Sequence, residues 1–265
     1  MFKYERIKMK RIIRAFLLIL MLFLLPLKQV FASNKAVLID VYPNDSTAFT
    51  QGFEMDHHGR LIHSTGRYGE SIIGINRLQG QIDVIESLDK TYFGEGITFT
   101  PTALWQLTWK EETAFKRHPE TFQIIEQFYY TGEGWGIAYS PDENVLWVSD
   151  GSSRLQKRDS ENFELLDYVD VKCQQCELDN LNELEYAEGL IYANVWHTNQ
   201  IVAISPKDGK VQTIYDLTSL IESVPLTMDQ KNKMDVLNGI AHINQQFFYV
   251  TGKYFPYVYK VELMK

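Results

Sequence analysis

Gln51-Gly52-Phe53, Glu95-Gly96-Ile97, Trp135-Gly136-Ile137, Asn182-Glu183-Leu184 and Asn238-Gly239-Ile240 are five versions of one short segment, with first positions 44, 40, 47 and 56 residues apart. A unit recurring at roughly 40–50 residues is the mark of a propeller or a solenoid. Beyond a short turn, each segment is followed by a run of aromatic and branched residues that reads as a strand: Leu61–Gly66, Leu104–Trp109, Leu146–Gly151, Ile191–Trp196 and Phe248–Lys253. Third strands are expected at Ile72–Asn76, Thr113–Arg117, Arg154–Arg158, Gln200–Ile204 and Tyr257–Glu262, and fourth strands at Gln81–Ser87, Gln123–Phe128, Glu164–Val169 and Val211–Tyr215.

The fifth repeat lacks a fourth strand, while the chain opens with an unassigned one, Val37–Tyr42. Pairing the two termini supplies the missing strand and closes the ring, which leaves only short, protected edges. The expectation is therefore an all-β chain: one five-bladed propeller of four-stranded antiparallel blades over residues 33–265. A short helix is expected within Asp216–Met234.

Residues 1–32 read differently. Lys3, Arg6, Lys8, Lys10, Arg11 and Arg14 precede the apolar run Ala15–Leu25, and Val30-Phe31-Ala32 offers a small-residue cleavage pattern. This is the layout of a secretory signal peptide, so the chain is expected to be exported to a periplasm or the exterior, without stable membrane insertion after cleavage. Removing this segment takes seven Lys/Arg and one Glu from the 26 and 34 of the whole chain, leaving 19 and 33 and a net charge near −14. So acidic a surface argues against nucleic acid as a partner. The two cysteines, Cys173 and Cys176, have neither the second cysteine pair of a zinc site nor the βαβ setting of a redox motif, and read as a small loop disulfide.

First strands of propeller blades flank the axis, so Gln51, Glu95, Trp135, Asn182 and Asn238 are expected to face one another around one end of the channel, with Gly66, Trp109, Gly151, Trp196 and Lys253 one strand further out. Few polar groups in an aromatic wall is the composition of a small-ligand pocket. Trp105 and Trp147, in mid-strand, read as core. Glu183 and Glu185, with Asp150 and Asp235, could suggest a cation site but read as strand-end and surface groups, and His57-His58 as an exposed hairpin turn. No Ser-His-Asp order, Walker loop, His-Glu-x-x-His or dinucleotide fingerprint occurs.

Ten segments in order resemble the plant and bacterial type of glutaminyl cyclase, from about Val41 to Lys260: Ala48-Phe-Thr-Gln-Gly52, Tyr68-Gly-Glu-Ser71, Phe93-Gly-Glu-Gly-Ile97, Leu107-Thr-Trp-Lys110, Gly132-Glu-Gly-Trp-Gly136, Ser149-Asp-Gly151, Leu181-Asn-Glu-Leu-Glu185, Ala193-Asn-Val-Trp196, Leu237-Asn-Gly-Ile240 and Thr251-Gly-Lys253. The resemblance implies an aminoacyltransferase that cyclises the N-terminal glutamine of peptides and proteins to pyroglutamate and releases ammonia. It implies Glu95 as general acid/base, Asn182 and Lys253 as polar catalytic-site residues, and Phe49, Gln51, Phe93, Trp109, Trp135 and Trp196 as the substrate-binding wall. The chemistry asks for no cofactor, a structural calcium or zinc ion in the channel is compatible with it, and a monomer is expected. Two other classes share these rings: a non-catalytic propeller that binds a peptide or glycan, and a metal-dependent, lactonase-like hydrolase.

Overall fold

The computed structural model describes residues 36–174 and 178–264. The signal peptide assigned to residues 1–32 and Cys176 lie outside the described residues; Cys173 is disulfide-bonded. Among the described residues, no helix is long and apolar enough to cross a membrane.

Five four-stranded antiparallel sheets form, four of them with their strands in chain order and the fifth completed by the N-terminal strand. Blade 1 is β2 (Thr50–Met55), β3 (Leu61–Thr65), β4 (Ile72–Asn76) and β5 (Ile82–Ser87); blade 2 is β6 (Gly94–Phe99), β7 (Leu104–Thr108), β8 (Thr113–Arg117) and β9 (Ile124–Tyr129). Blade 3 is β10 (Ile137–Ser140), β11 (Val145–Val148), β12 (Arg154–Asp159) and β13 (Leu165–Asp170), and blade 4 is β14 (Leu181–Ala187), β15 (Leu190–Val195), β16 (Gln200–Ile204) and β17 (Val211–Asp216). Blade 5 joins β18 (Leu237–Asn244), β19 (Phe247–Gly252) and β20 (Tyr257–Leu263) to β1 (Ala36–Pro43), so the N-terminal strand does close the ring, from Ala36 opposite Leu263 to Pro43 opposite Tyr257. The connection into blade 5 holds two short helices, α1 (Thr218–Ser223) and α2 (Met228–Lys233), where one was expected. The second is opened by a capping box between Thr227 and Gln230.

The repeated glycine has a packing reason. A Cβ on Gly96 would lie 2.7 Å from the Trp135 carbonyl oxygen, and one on Gly136 would lie 2.1 Å from the Asn182 oxygen. In blades 1, 2 and 3 the motif glycine therefore runs against the backbone of the next blade's motif, closer than a side chain permits. Blade 4 carries Glu183 at this position, and its carboxylate extends to accept the backbone N–H groups of Phe53 (3.2 Å) and Ile240 (2.8 Å), in blades 1 and 5. Expected at a strand end or on the surface, Glu183 and Glu185 are instead buried at 1 % and 5 % exposure. Burial pushes both carboxyls well above their ordinary range.

Between blades the core is apolar and aromatic. Trp105 and Trp147 are buried there as expected, and Trp105 stacks on Phe163 with ring centres 5.1 Å apart. That offset geometry adds to the free energy of burial itself.

Candidate active site

Each innermost strand is irregular where its motif sits. The pairing register shifts between Thr50 and Gly52, Gly94 and Ile97, Leu181 and Leu184, and Leu237 and Ile240. In blade 3 the strand begins only at the last residue of the motif, Ile137. A bulge inserts a residue that pairs with nothing across the ladder, which lets it be aimed elsewhere. Gln51, Glu95, Asn182 and Asn238 are the residues so released.

The backbone that presents Glu95 is fixed from three sides. Gly94 N–H donates to Ser71 Oγ (3.0 Å), the Glu95 carbonyl accepts from Ser64 Oγ (2.8 Å), and Gly96 N–H donates to the Trp135 carbonyl (2.8 Å). Behind Ser64 the chain continues through Gln106 to the buried Arg117. Such a fully bonded buried network rigidifies the position it supports.

All nine residues singled out from the sequence line one cavity of about 180 Å³: Phe49, Gln51, Phe93, Glu95, Trp109, Trp135, Asn182, Trp196 and Lys253. That volume suits a single side chain. Two glycines of the expected outer ring serve as seats, because a Cβ on Gly66 would strike the Phe93 ring and one on Gly151 the Trp135 indole. The wall is built from two sets of ring contacts, Phe49 to Phe93 at 6.1 Å and Phe93 to Trp109 at 5.4 Å in one, and Trp135 to Trp196 at 5.3 Å in the other. Asn238 does not line the cavity; it lies behind it, donating to the Thr50 carbonyl and to Gln51 Oε1, both at 3.0 Å.

Glu95 is 3 % exposed and accepts from Gln51 Nε2 at 2.9 Å. Burial pushes its carboxyl well above the ordinary range; the Lys253 ammonium opposes this, while the charges of Glu133 and Glu111 add to it. Lys253, buried over the faces of Phe49 (4.7 Å) and Trp196 (5.8 Å), has its own pKa lowered by burial, with Glu95 and Asp235 opposing. Asn182 Oδ1 is buried without a hydrogen-bond partner among the described residues.

Glu133 was not singled out by the sequence reading. Its Oε2 accepts from the indole N–H of both Trp109 (2.7 Å) and Trp135 (2.9 Å), and Lys110 reaches over the Trp109 face to within 3.8 Å of Oε1. The residue stands inside the segment Gly132-Glu-Gly-Trp-Gly136, but outside the repeat that aligns the blades, so periodicity gave it no role.

Among the described residues, the one group of three His, Cys, Asp or Glu side chains with ligand atoms within 4.8 Å of one another is His57, His58 and Glu120, all exposed. Both Glu183 oxygens are already taken by backbone N–H groups.

A family model described as glutamine cyclotransferase matches residues 20–263. A glutaminyl-peptide cyclotransferase of Arabidopsis thaliana is 35% identical over 233 residues, spanning 87% of this chain and 72% of that protein. The crystal structure of Myxococcus xanthus glutaminyl cyclase superposes with a TM-score of 0.74 at 31% identity, over 87% of this chain and 97% of that one. A gluconolactonase of Xanthomonas campestris covers 83% of this chain and 74% of its own at 17% identity and a TM-score of 0.52, a likeness of fold alone. Since the family match spans nearly the whole propeller and two relatives agree across most of the chain, this chain belongs to the glutamine cyclotransferase family.

Proposed function

We propose that this chain is a glutaminyl-peptide cyclotransferase that converts N-terminal glutamine to pyroglutamate with release of ammonia, and that Glu95 is its general acid/base. The observation that carries the reading is a buried carboxyl of raised pKa on an aromatic cavity sized for one side chain.

Nucleophile and electrophile belong to the same substrate residue, so the protein's work is to fold that residue into a near-attack conformer and to move protons. The α-amine nitrogen bonds to the side-chain carbonyl carbon. Glu95 takes the proton that the nitrogen loses, then returns it to the departing nitrogen as the carbon–nitrogen bond of the amide breaks and ammonia leaves. A carboxyl whose pKa is raised above its ordinary range is suited to both halves of that exchange. The oxyanion formed between the two steps needs preorganised donors. Lys253 and the Asn182 amide are the groups we assign, because the indole N–H groups of Trp109 and Trp135 are already engaged by Glu133.

Incubating the protein with a Gln-initiated peptide, and following ammonia together with the loss of one ammonia mass from the peptide, tests the reading. Turnover that falls away in Glu95→Gln supports it; a peptide bound tightly but never cyclised would instead favour a binding propeller. Lactone hydrolysis lost on chelation would favour the hydrolase.

A further inference from the structure

His57 and His58 occupy the turn between β2 and β3, and Glu120 the turn between β8 and β9 of the neighbouring blade. Both turns lie at strand ends remote from the cavity, since Gln51 is at the start of β2 and Trp109 follows the end of β7. Across the blade boundary, His57 Nε2 is 3.0 Å and His58 Nε2 2.9 Å from the same atom, Glu120 Oε1.

The surroundings hold this arrangement in place. Glu120 Oε2 accepts from Arg60 Nη2 (3.2 Å), and Arg60 Nε is bound to Asp56 Oδ2 (2.5 Å). The buried Asp56 also accepts the backbone N–H groups of His58 (3.0 Å) and Arg60 (2.7 Å) through Oδ1. One aspartate thus shapes the turn that carries the imidazoles and, through Arg60, orients the carboxylate so that Oε1 faces them. His57 packs edge-on against Phe99 at 6.4 Å and lies 4.2 Å from the His58 ring, which limits its rotation.

We propose that His57, His58 and Glu120 form a binding site for a zinc-type transition-metal dication that clips blade 1 to blade 2. Two imidazole nitrogens and one carboxylate oxygen suit Zn²⁺, Co²⁺, Ni²⁺ or Cu²⁺, whereas Ca²⁺ and Mg²⁺ take oxygen ligands. A tetrahedral ion with ligand bonds of about 2.1 Å spaces its ligands roughly 3.4 Å apart, so each imidazole needs to back away from Oε1 by only a few tenths of an ångström. Each ring binds through Nε2 with its proton on Nδ1, and the exposed fourth position is filled by water. Arg60 and Asp56 support the carboxylate in the way that outer-shell partners orient metal ligands elsewhere.

The test is titration of untagged, chelator-stripped protein with Co²⁺ and then Zn²⁺, with thermal unfolding followed in parallel. One Co²⁺ per chain, with the visible absorption of a four- or five-coordinate nitrogen and oxygen site displaced by Zn²⁺, and a higher Tm in Zn²⁺, are expected. His57→Ala, His58→Ala and Glu120→Gln should each weaken binding at least about tenfold and remove the Zn²⁺-dependent rise, leaving the metal-free Tm unchanged. Unchanged affinity in all three variants, or no Co²⁺ binding at millimolar concentration, overturns the proposal.

Discussion

Gln51 donates its side-chain amide nitrogen to Glu95 Oε1 at 2.9 Å, and the orientation of that amide is set by Asn238, whose Nδ2 occupies Gln51 Oε1 at 3.0 Å. A donor aimed at Glu95 favours the ionised carboxylate, the form that accepts the substrate's proton in the proposed reaction. Asn238→Asp removes the donor to Gln51 Oε1 and lets the Gln51 amide turn, presenting its oxygen to Glu95. The expected result is a kcat/KM lowered by about tenfold or more, the scale of one hydrogen bond to a charged group, although Asn238 does not line the cavity. Steady-state kinetics at several pH values checks it.

Replacing the proposed proton carrier itself has a larger consequence. Glu95→Gln keeps the shape and the hydrogen bond to Gln51, and is expected to reduce kcat by about a hundredfold or more, in the range of a lost general acid/base. Circular dichroism and thermal melting should match the parent protein, which separates lost chemistry from lost fold.

Two charges bear on Glu95 in opposite senses and predict opposite pH shifts. Lys253 holds its pKa down and Glu133 holds it up. The acid limb of the kcat/KM profile, which the proposed mechanism ties to ionisation of Glu95, is expected to move to higher pH in Lys253→Met and to lower pH in Glu133→Gln. Glu133→Gln should also raise KM, because Trp109 and Trp135 lose a shared carboxylate acceptor. Limbs that move in the same direction would exclude this electrostatic arrangement.

The close approach of first strands predicts a stability defect away from the chemistry. Gly136→Ala places a methyl carbon 2.1 Å from the Asn182 carbonyl oxygen, a contact that only backbone movement between blades 3 and 4 can relieve. A loss of about 2 kcal/mol or more is expected from overpacking of this kind, measured by denaturant unfolding. Gly132→Ala provides a control for space, since nothing lies within 4 Å of a Cβ there, although its φ of +96° also strains a side chain.

Acid lability should trace partly to His63. This ring is buried at the end of a chain from Gly252 through Thr50, accepts from Asn76, and has its pKa lowered by burial from 6.5 to about 4. A depressed pKa means the neutral ring contributes stability that is complete above 6.5 and is lost as pH falls toward 4. For a fully buried group the contribution is on the order of 3 kcal/mol. His63→Gln should flatten the stability profile between pH 6.5 and 4, as read from urea midpoints, whatever its effect at neutral pH.

Much of this architecture was legible because it is periodic. Five copies of one short motif, four of them with glycine, and the runs after them located the strands to within three residues, and the unpaired Val37–Tyr42 announced its partner at the other terminus. The residues that line the cavity came from the same repeat together with the family resemblance, which added Phe49 and Phe93. Glu183 and Glu185 were misplaced because a polar residue in a strand reads as outward-facing, and nothing local reveals that the axis swallows it. Glu133 and the pairing of His57-His58 with Glu120 were out of reach for a related reason. Their partners arrive from other strands or another blade, through contacts that no spacing along the chain encodes.

The sequence by itself therefore determined the ring: its five blades, its closure by the termini and the end of the channel where one carboxylate meets indoles and amides. These follow from local strand propensity and from a repeat that each blade obeys alike. Only the tertiary structure decided how the Glu95 carboxyl is tuned, by Gln51 turned through Asn238, by Lys253 and by Glu133. It alone decided that Glu183 bridges blades 1 and 5 where glycine stands elsewhere. A pKa or a side-chain orientation depends on burial and on charges a few ångströms away, and those distances exist only once the blades have closed around the axis.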